Sequence, residues 1–172
     1  MGTLIQQIII FGAFPALMAF AAAGDFVSMT ISNRLQITLI VLFCAIALLS
    51  GFTFAQFSHH ALAFLLVLLV AFFCFARGWI GGGDAKLVAC TALWFGPTLE
   101  LYSYLLVAAC LGGALTLIIL YARTFSLPPS LSGQAWAARL HDQQQGIPYG
   151  IALALAALIV YPETAIFASA FR

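Results

Sequence analysis

Apolar runs of about 20 residues follow one another from near Leu4 to near Phe167 with scarcely a charge inside them, and this decides what the chain can become. About 20 residues is the length an α-helix needs to cross a hydrocarbon core of roughly 30 Å. Lipid offers the backbone no hydrogen-bond partner, so spanning segments are helices or closed barrels, and nothing here alternates with a barrel strand's period of two. Only 6% of the residues are charged and 65% are hydrophobic, against roughly 25% charged in a soluble domain. The fold class is therefore all-α: a polytopic transmembrane helical bundle, an integral membrane protein whose first partner is the lipid bilayer.

Six spans are expected, at about 4–23, 35–54, 61–76, 87–95 (extending back toward Asp84), 101–121 and 147–167, the last interrupted by Pro162 and Glu163. The start of the chain has no Lys or Arg before the first run, which reads as a retained span rather than a signal peptide. The whole of 1–172 reads as one domain. Basic residues concentrate in cytoplasmic loops. Arg34, Arg77, Lys86, Arg123 and Arg139 all fall in alternate connections, while His59-His60 and Pro97 to Glu100 fall in the others. Both termini are then outside, and Asp25 and Asp84 open onto the cytoplasmic side. The connection from about 122 to 146 holds Trp136, Arg139 and Leu140, which read equally well as an amphipathic headgroup segment or as a solvated linker.

In Gly78-Trp79-Ile80-Gly81-Gly82-Gly83-Asp84-Ala85-Lys86 a carboxylate and an ammonium stand on a glycine run. A phosphate-binding loop is excluded because Asp84 stands where its lysine belongs, and a dinucleotide fingerprint because Lys86 stands at its third glycine. A net charge of +1 argues against nucleic acid as a partner. No zinc-ligand spacing exists; Cys44, Cys74, Cys90 and Cys110 stand singly and read as buried, inert thiols. Adjacent His59 and His60 diverge by about 100° on a helix and do not chelate together. No metal and no cofactor is expected.

Taken singly, Asp84 reads as a helix N-cap and Asp25 as a residue marking a helix end. Together they change the balance, because ionisable groups near the bilayer are costly and usually functional. Two carboxyls a water's width apart share one proton: one takes a proton from water as it attacks an amide, the other bonds to the carbonyl oxygen. The other class open on these residues is a non-catalytic membrane subunit or small transporter whose two acids bind a cation or relay protons.

Three elements, in order, resemble the type IV prepilin peptidases, membrane-embedded aspartic proteases of the GxGD class. Gly81-Gly82-Gly83-Asp84-Ala85-Lys86 looks like the family's second aspartate segment. Asp25 through Ser32-Asn33-Arg34 looks like the first, with Ser32 in place of a proline, a departure that loosens the turn. Ile147-Pro148-Tyr149-Gly150-Ile151 resembles the Pro-Tyr-Gly element that opens the last helix, with Ile151 where a proline is common. The resemblance implies an aspartic endopeptidase with Asp25 and Asp84 catalytic, and Gly81, Gly83, Lys86, Asn33, Pro148, Tyr149 and Gly150 binding or positioning substrate. Gly81 and Gly83 would let the substrate backbone approach, and Lys86 would balance local charge or face headgroup phosphates. It implies a prepilin or pseudopilin substrate cut after a glycine at the cytoplasmic face of a bacterial inner membrane, and a pilus assembly machinery as partner. The longer members' cytoplasmic region with two C-x-x-C pairs, associated with zinc and N-methylation, has no counterpart here. The chain thus looks like the short form that accompanies Flp/Tad pilus systems.

Overall fold

The computed structural model describes residues 2–171, and they are almost wholly helical. The first pass of the chain is α1 (Gly2–Gln7), a π-helical stretch (Ile8–Ala13) and α2 (Phe14–Ser28) end to end. The Phe14 N–H reaches back five residues to the Ile9 carbonyl. Pro15 supplies the cause: its ring lacks an N–H and crowds the carbonyl of Phe11, so the helix widens there instead of breaking. The helix also runs past the expected end at Gly24, which puts Asp25 inside its last turn rather than beyond it.

After it come α3 (Asn33–Leu49), α4 (Phe54–Ala76), α5 (Gly82–Phe95) and α6 (Leu99–Ala122). A connection follows that carries α7 (Pro129–Ser132) and α8 (Ala135–His141). The chain closes with α9 (Tyr149–Val160), a 3-10 turn (Tyr161–Glu163) at the expected Pro162-Glu163 interruption, and α10 (Ala165–Ser169). The described helices run back and forth between two ends of one bundle. At one end the Gln7 side chain donates to the Ala170 carbonyl at 3.0 Å and that of Gln6 to Ser50 Oγ at 2.9 Å, so the first and last passes and the α3–α4 turn lie together.

The helices differ in how much apolar surface they expose. Three stretches, Leu4–Ser28, Phe54–Ala76 and Leu99–Ala122, are long and apolar enough to cross a membrane. The outer faces of α4 and α6 expose Leu65, Leu69, Phe72, Leu106 and Leu117, as suits helices that are apolar all round. α5 is the reverse, short and enclosed: every residue from Leu87 to Phe95 is buried. Its Trp94 stacks near Phe14 (4.7 Å), which in turn stacks on Tyr161 (4.1 Å), tying three passes together far from the acids. α9 packs between α2 and α6 on small residues, with Ala152, Ala154, Ala156 and Ala157 at most 1% exposed; such residues let membrane helices approach closely. The expectation of four buried thiols holds only for Cys90: Cys44 and Cys74 are half-buried, and Cys110 is exposed on the outer face of α6.

Candidate active site

At the other end of the bundle, turns built from glycine and serine bring distant segments together. α4 stops in a Schellman motif: Gly78, at φ +73°, donates to the Phe75 carbonyl (2.8 Å) and Trp79 to that of Cys74 (3.0 Å). Arg77 folds over the Phe73 ring, 4.8 Å from its centre. Gly81 then caps α5, its carbonyl accepting from the Ala85 N–H at 3.0 Å. Asp84 is therefore not the N-cap that the sequence suggested but the third residue of the helix. A Cβ on Gly81 would lie 2.9 Å from Asp84 Oδ2, because the carboxyl folds back toward the Gly81 N–H as the acidic residue of a capping box does. Asp84 is 9% exposed.

Asp25 comes from the last turn of α2 and is 4% exposed. α2 ends at Met29, the one described non-glycine residue with positive φ, at 51°; its N–H returns to the Asp25 carbonyl at 2.8 Å. Ser32 does not loosen the turn that follows. Its hydroxyl accepts from the Leu35 N–H at 3.3 Å and caps α3, doing by hydrogen bond what a proline ring does by fixing φ. Ile31, just before it, is wedged between two glycines: a Cβ on Gly83 would meet Ile31 Cβ at 3.2 Å, and one on Gly150 would meet Ile31 Cδ1 at 2.7 Å.

The third segment is the start of α9. The Gly150 N–H donates to Asp25 Oδ2 at 2.7 Å, a bond across 125 residues of chain. A Cβ on Gly150 would stand 2.8 Å from the same oxygen, so only glycine brings the backbone this close. Pro148 is buried as the residue preceding α9. The Tyr149 ring lies in a slot of α6 left by Gly112, whose missing Cβ would overlap the ring itself.

Asp25, Asp84, Gly81 and Tyr149 line one cavity of about 640 Å³, together with Met29, Trp79, Thr116 and Arg123 among others. A groove of about 710 Å³ between the α2 face at Leu17 and Phe20 and the start of α3 contains no acid. The remaining expected residues do not line the cavity. Lys86 Nζ donates to Asn33 Oδ1 at 2.9 Å, which ties α5 to α3. The space beside Gly83 is filled by Ile31. His60 bonds through Nδ1 to the Leu93 carbonyl (2.7 Å), where the start of α4 meets the end of α5.

Three participants escaped the sequence reading. Gly112 is a small residue in an apolar run, with no local pattern to mark it. Gln36, 4% exposed, donates from Nε2 to the Gly83 carbonyl at 3.0 Å; a lone polar residue inside an apolar helix was its only signal. Arg123 marked orientation, yet its guanidinium donates to the carbonyls of Leu140 (2.7 Å), Gln145 (3.2 Å) and Gly146 (3.2 Å) and so fastens the segment leading into α9. The long connection carries the helix α8, which was not expected to pack on the protein: it lays Trp136 against Phe26, ring centres 5.1 Å apart, next to Asp25.

Compared with known proteins, residues 12–118 match the family model described as the type IV leader peptidase family, a stretch that includes both aspartates. No curated protein and no solved structure matches the chain.

Proposed function

The chain belongs to the type IV leader peptidase family, and from that membership we propose that it is an aspartic endopeptidase whose catalytic pair is Asp25 and Asp84. The observation that carries this reading is the shared cavity: two carboxyls from helices almost sixty residues apart line it, that of Asp25 held by the Gly150 N–H and that of Asp84 folded back beside Gly81. One proton is held between them. The ionised carboxylate takes a proton from water as the oxygen attacks the scissile carbonyl carbon, and the protonated acid donates to the carbonyl oxygen. The resulting diol collapses as its hydroxyl proton returns to a carboxylate and the leaving nitrogen is protonated. Attack and departure thus use one pair of acids and one water, with the proton count unchanged at the end.

The substrate is a prepilin or pseudopilin of the Flp/Tad type, cut after a glycine where its leader meets its apolar helix. Trp79 and Tyr149 add aromatic surface to the cavity that the acids line. The enzyme is a single domain that crosses the bacterial inner membrane several times, with the cavity facing the cytoplasm and the product passing to the pilus assembly machinery. The test is co-expression with candidate prepilins and mass spectrometry of the new N-terminus. Wild type should trim the leader at one glycine, while Asp25→Asn and Asp84→Asn should each lose at least about 10³-fold in rate at normal protein level, as expected for a group that takes part in the proton transfers. Full-rate cleavage by either variant refutes the pair.

A further inference from the structure

We propose that Gln36 is a positioning residue which, with Asn33, holds the first turn of α5 and thereby fixes Asp84 in the cavity. An amide in the interior of an apolar helix is costly unless its donors are used, about 1–3 kcal/mol for an unsatisfied buried group. Gln36 lies among Leu35, Leu39 and Phe43, all at most 5% exposed. Its Nε2 donates to the Gly83 carbonyl at 3.0 Å, one residue before Asp84. Asn33 stands one turn earlier on α3, on the same face by its i, i+3 spacing. It accepts from Lys86 Nζ at 2.9 Å, two residues after Asp84. The acid is thus bracketed by two polar bonds from one neighbouring helix, in a turn whose two glycines bring no side chains of their own and are packed only by Phe75 and Ile31.

The rest of α5 is held to α3 independently, by Trp94 Nε1 to the Leu39 carbonyl at 3.1 Å and by a weak Cys90 Sγ contact to the Gln36 carbonyl at 3.8 Å. Loss of the Gln36 amide therefore releases only the first turn, and the bundle stays assembled. The catalytic half of this proposal rests on the peptidase reading; the mechanical half does not.

The experiment uses the full chain in detergent and two substitutions of similar size. Gln36→Met keeps length and removes the donor; Gln36→Glu keeps length and can donate only when protonated. In Gln36→Met, amide hydrogen exchange over 83–87 should accelerate at least about 10-fold while exchange over 90–95 stays at the wild-type rate, the pattern of a local opening. Prepilin cleavage should fall about 10²-fold in kcat with KM within about 2-fold, the size of loss that misplacement by about 1 Å produces. The rate of Gln36→Glu relative to wild type should climb as pH falls, whereas that of Gln36→Met should stay flat. Unchanged exchange over 83–87 overturns the clamp; accelerated exchange with unchanged kcat overturns its catalytic role. If Gln36→Met does not fold, exposed Lys86→Met loosens the same turn from the other bond, with the same exchange and kcat outcomes deciding. A wild type that cleaves no prepilin defeats the peptidase reading alone, since exchange still decides the clamp.

Discussion

Gly112 and Gly113 are neighbours in α6 under opposite constraints. A Cβ at Gly112 would overlap the Tyr149 ring, while one at Gly113 would meet nothing within 4 Å. Gly112→Ala is therefore expected to push Tyr149 out of the cavity wall, at a cost of about 1–3 kcal/mol for overpacking and a clear drop in prepilin cleavage. Gly113→Ala should leave cleavage intact and stabilise the helix by up to about 1 kcal/mol. Thermal unfolding in detergent and cleavage rates of the two variants check this, and equal behaviour would count against the slot. At Gly150 the demand is stricter, because an added methyl presses on both Asp25 Oδ2 and Ile31. Gly150→Ala should lose most activity while its folded yield stays measurable. At this scale the sequence was a partial guide. Asp25 and Asp84 stand out because charge is so scarce, and both lie in terminal turns of helices as expected, though a few residues further in: Asp25 is inside the last turn of α2, and Asp84 follows a cap made by Gly81. The contacts that set those places, Gly150 to Asp25 and Ile31 to Gly83, join residues far apart in the chain and leave no local pattern to read.

Between single residues and the bundle, the connections do as much as the helices. The α2–α3 turn depends on the Ser32 hydroxyl, and Ser32→Ala should cost about 1 kcal/mol, the usual worth of such a cap, seen as a fall of a few degrees in melting temperature. Because Ile31 beside it is wedged against Gly83 and Gly150, cleavage should fall as well. The longer connection depends on Arg123, whose forked guanidinium gathers three carbonyls between Leu140 and Gly146. A lysine presents a point charge and no fork, so Arg123→Lys should resemble Arg123→Ala. Both should expose 140–146 to limited proteolysis and slow cleavage of a prepilin, with wild-type resistance in Arg123→Lys as the contrary result. The helical passes themselves were legible from their apolar runs, but not all of their ends: α3 stops at Leu49, and α4 starts at Phe54, which puts His59 and His60 inside the helix rather than in a connection. What could not be read was the π-helical stretch at Ile8–Ala13 and the docking of α8 through Trp136 on Phe26, since each depends on geometry that composition does not carry.

The whole molecule is asymmetric from end to end, and that asymmetry governs where its chemistry takes place. Arg34, Arg77, Lys86, Arg123 and Arg139 belong to the turns and helix ends around the acids, while the opposite end is joined by uncharged amides and hydroxyls at Gln6, Gln7, Ser50 and Ser169. α5 is 14 residues long, about 21 Å at 1.5 Å per residue against a hydrocarbon core of about 30 Å. A helix so short is covered by its neighbours, and the acids line a cavity at the basic end of the bundle. On the function proposed above, the positive-inside bias puts that end on the cytoplasmic side. Single cysteines in a background lacking the four native ones test the assignment: Ser130→Cys in the connection near the acids, and exposed Leu99→Cys at the α5–α6 turn. A membrane-impermeant maleimide should label Leu99→Cys in intact spheroplasts and Ser130→Cys only in inverted vesicles. The reverse pattern would put the cavity on the outer face, away from any substrate whose leader remains in the cytoplasm, and labelling of both from one side would mean that α6 does not cross the bilayer at all.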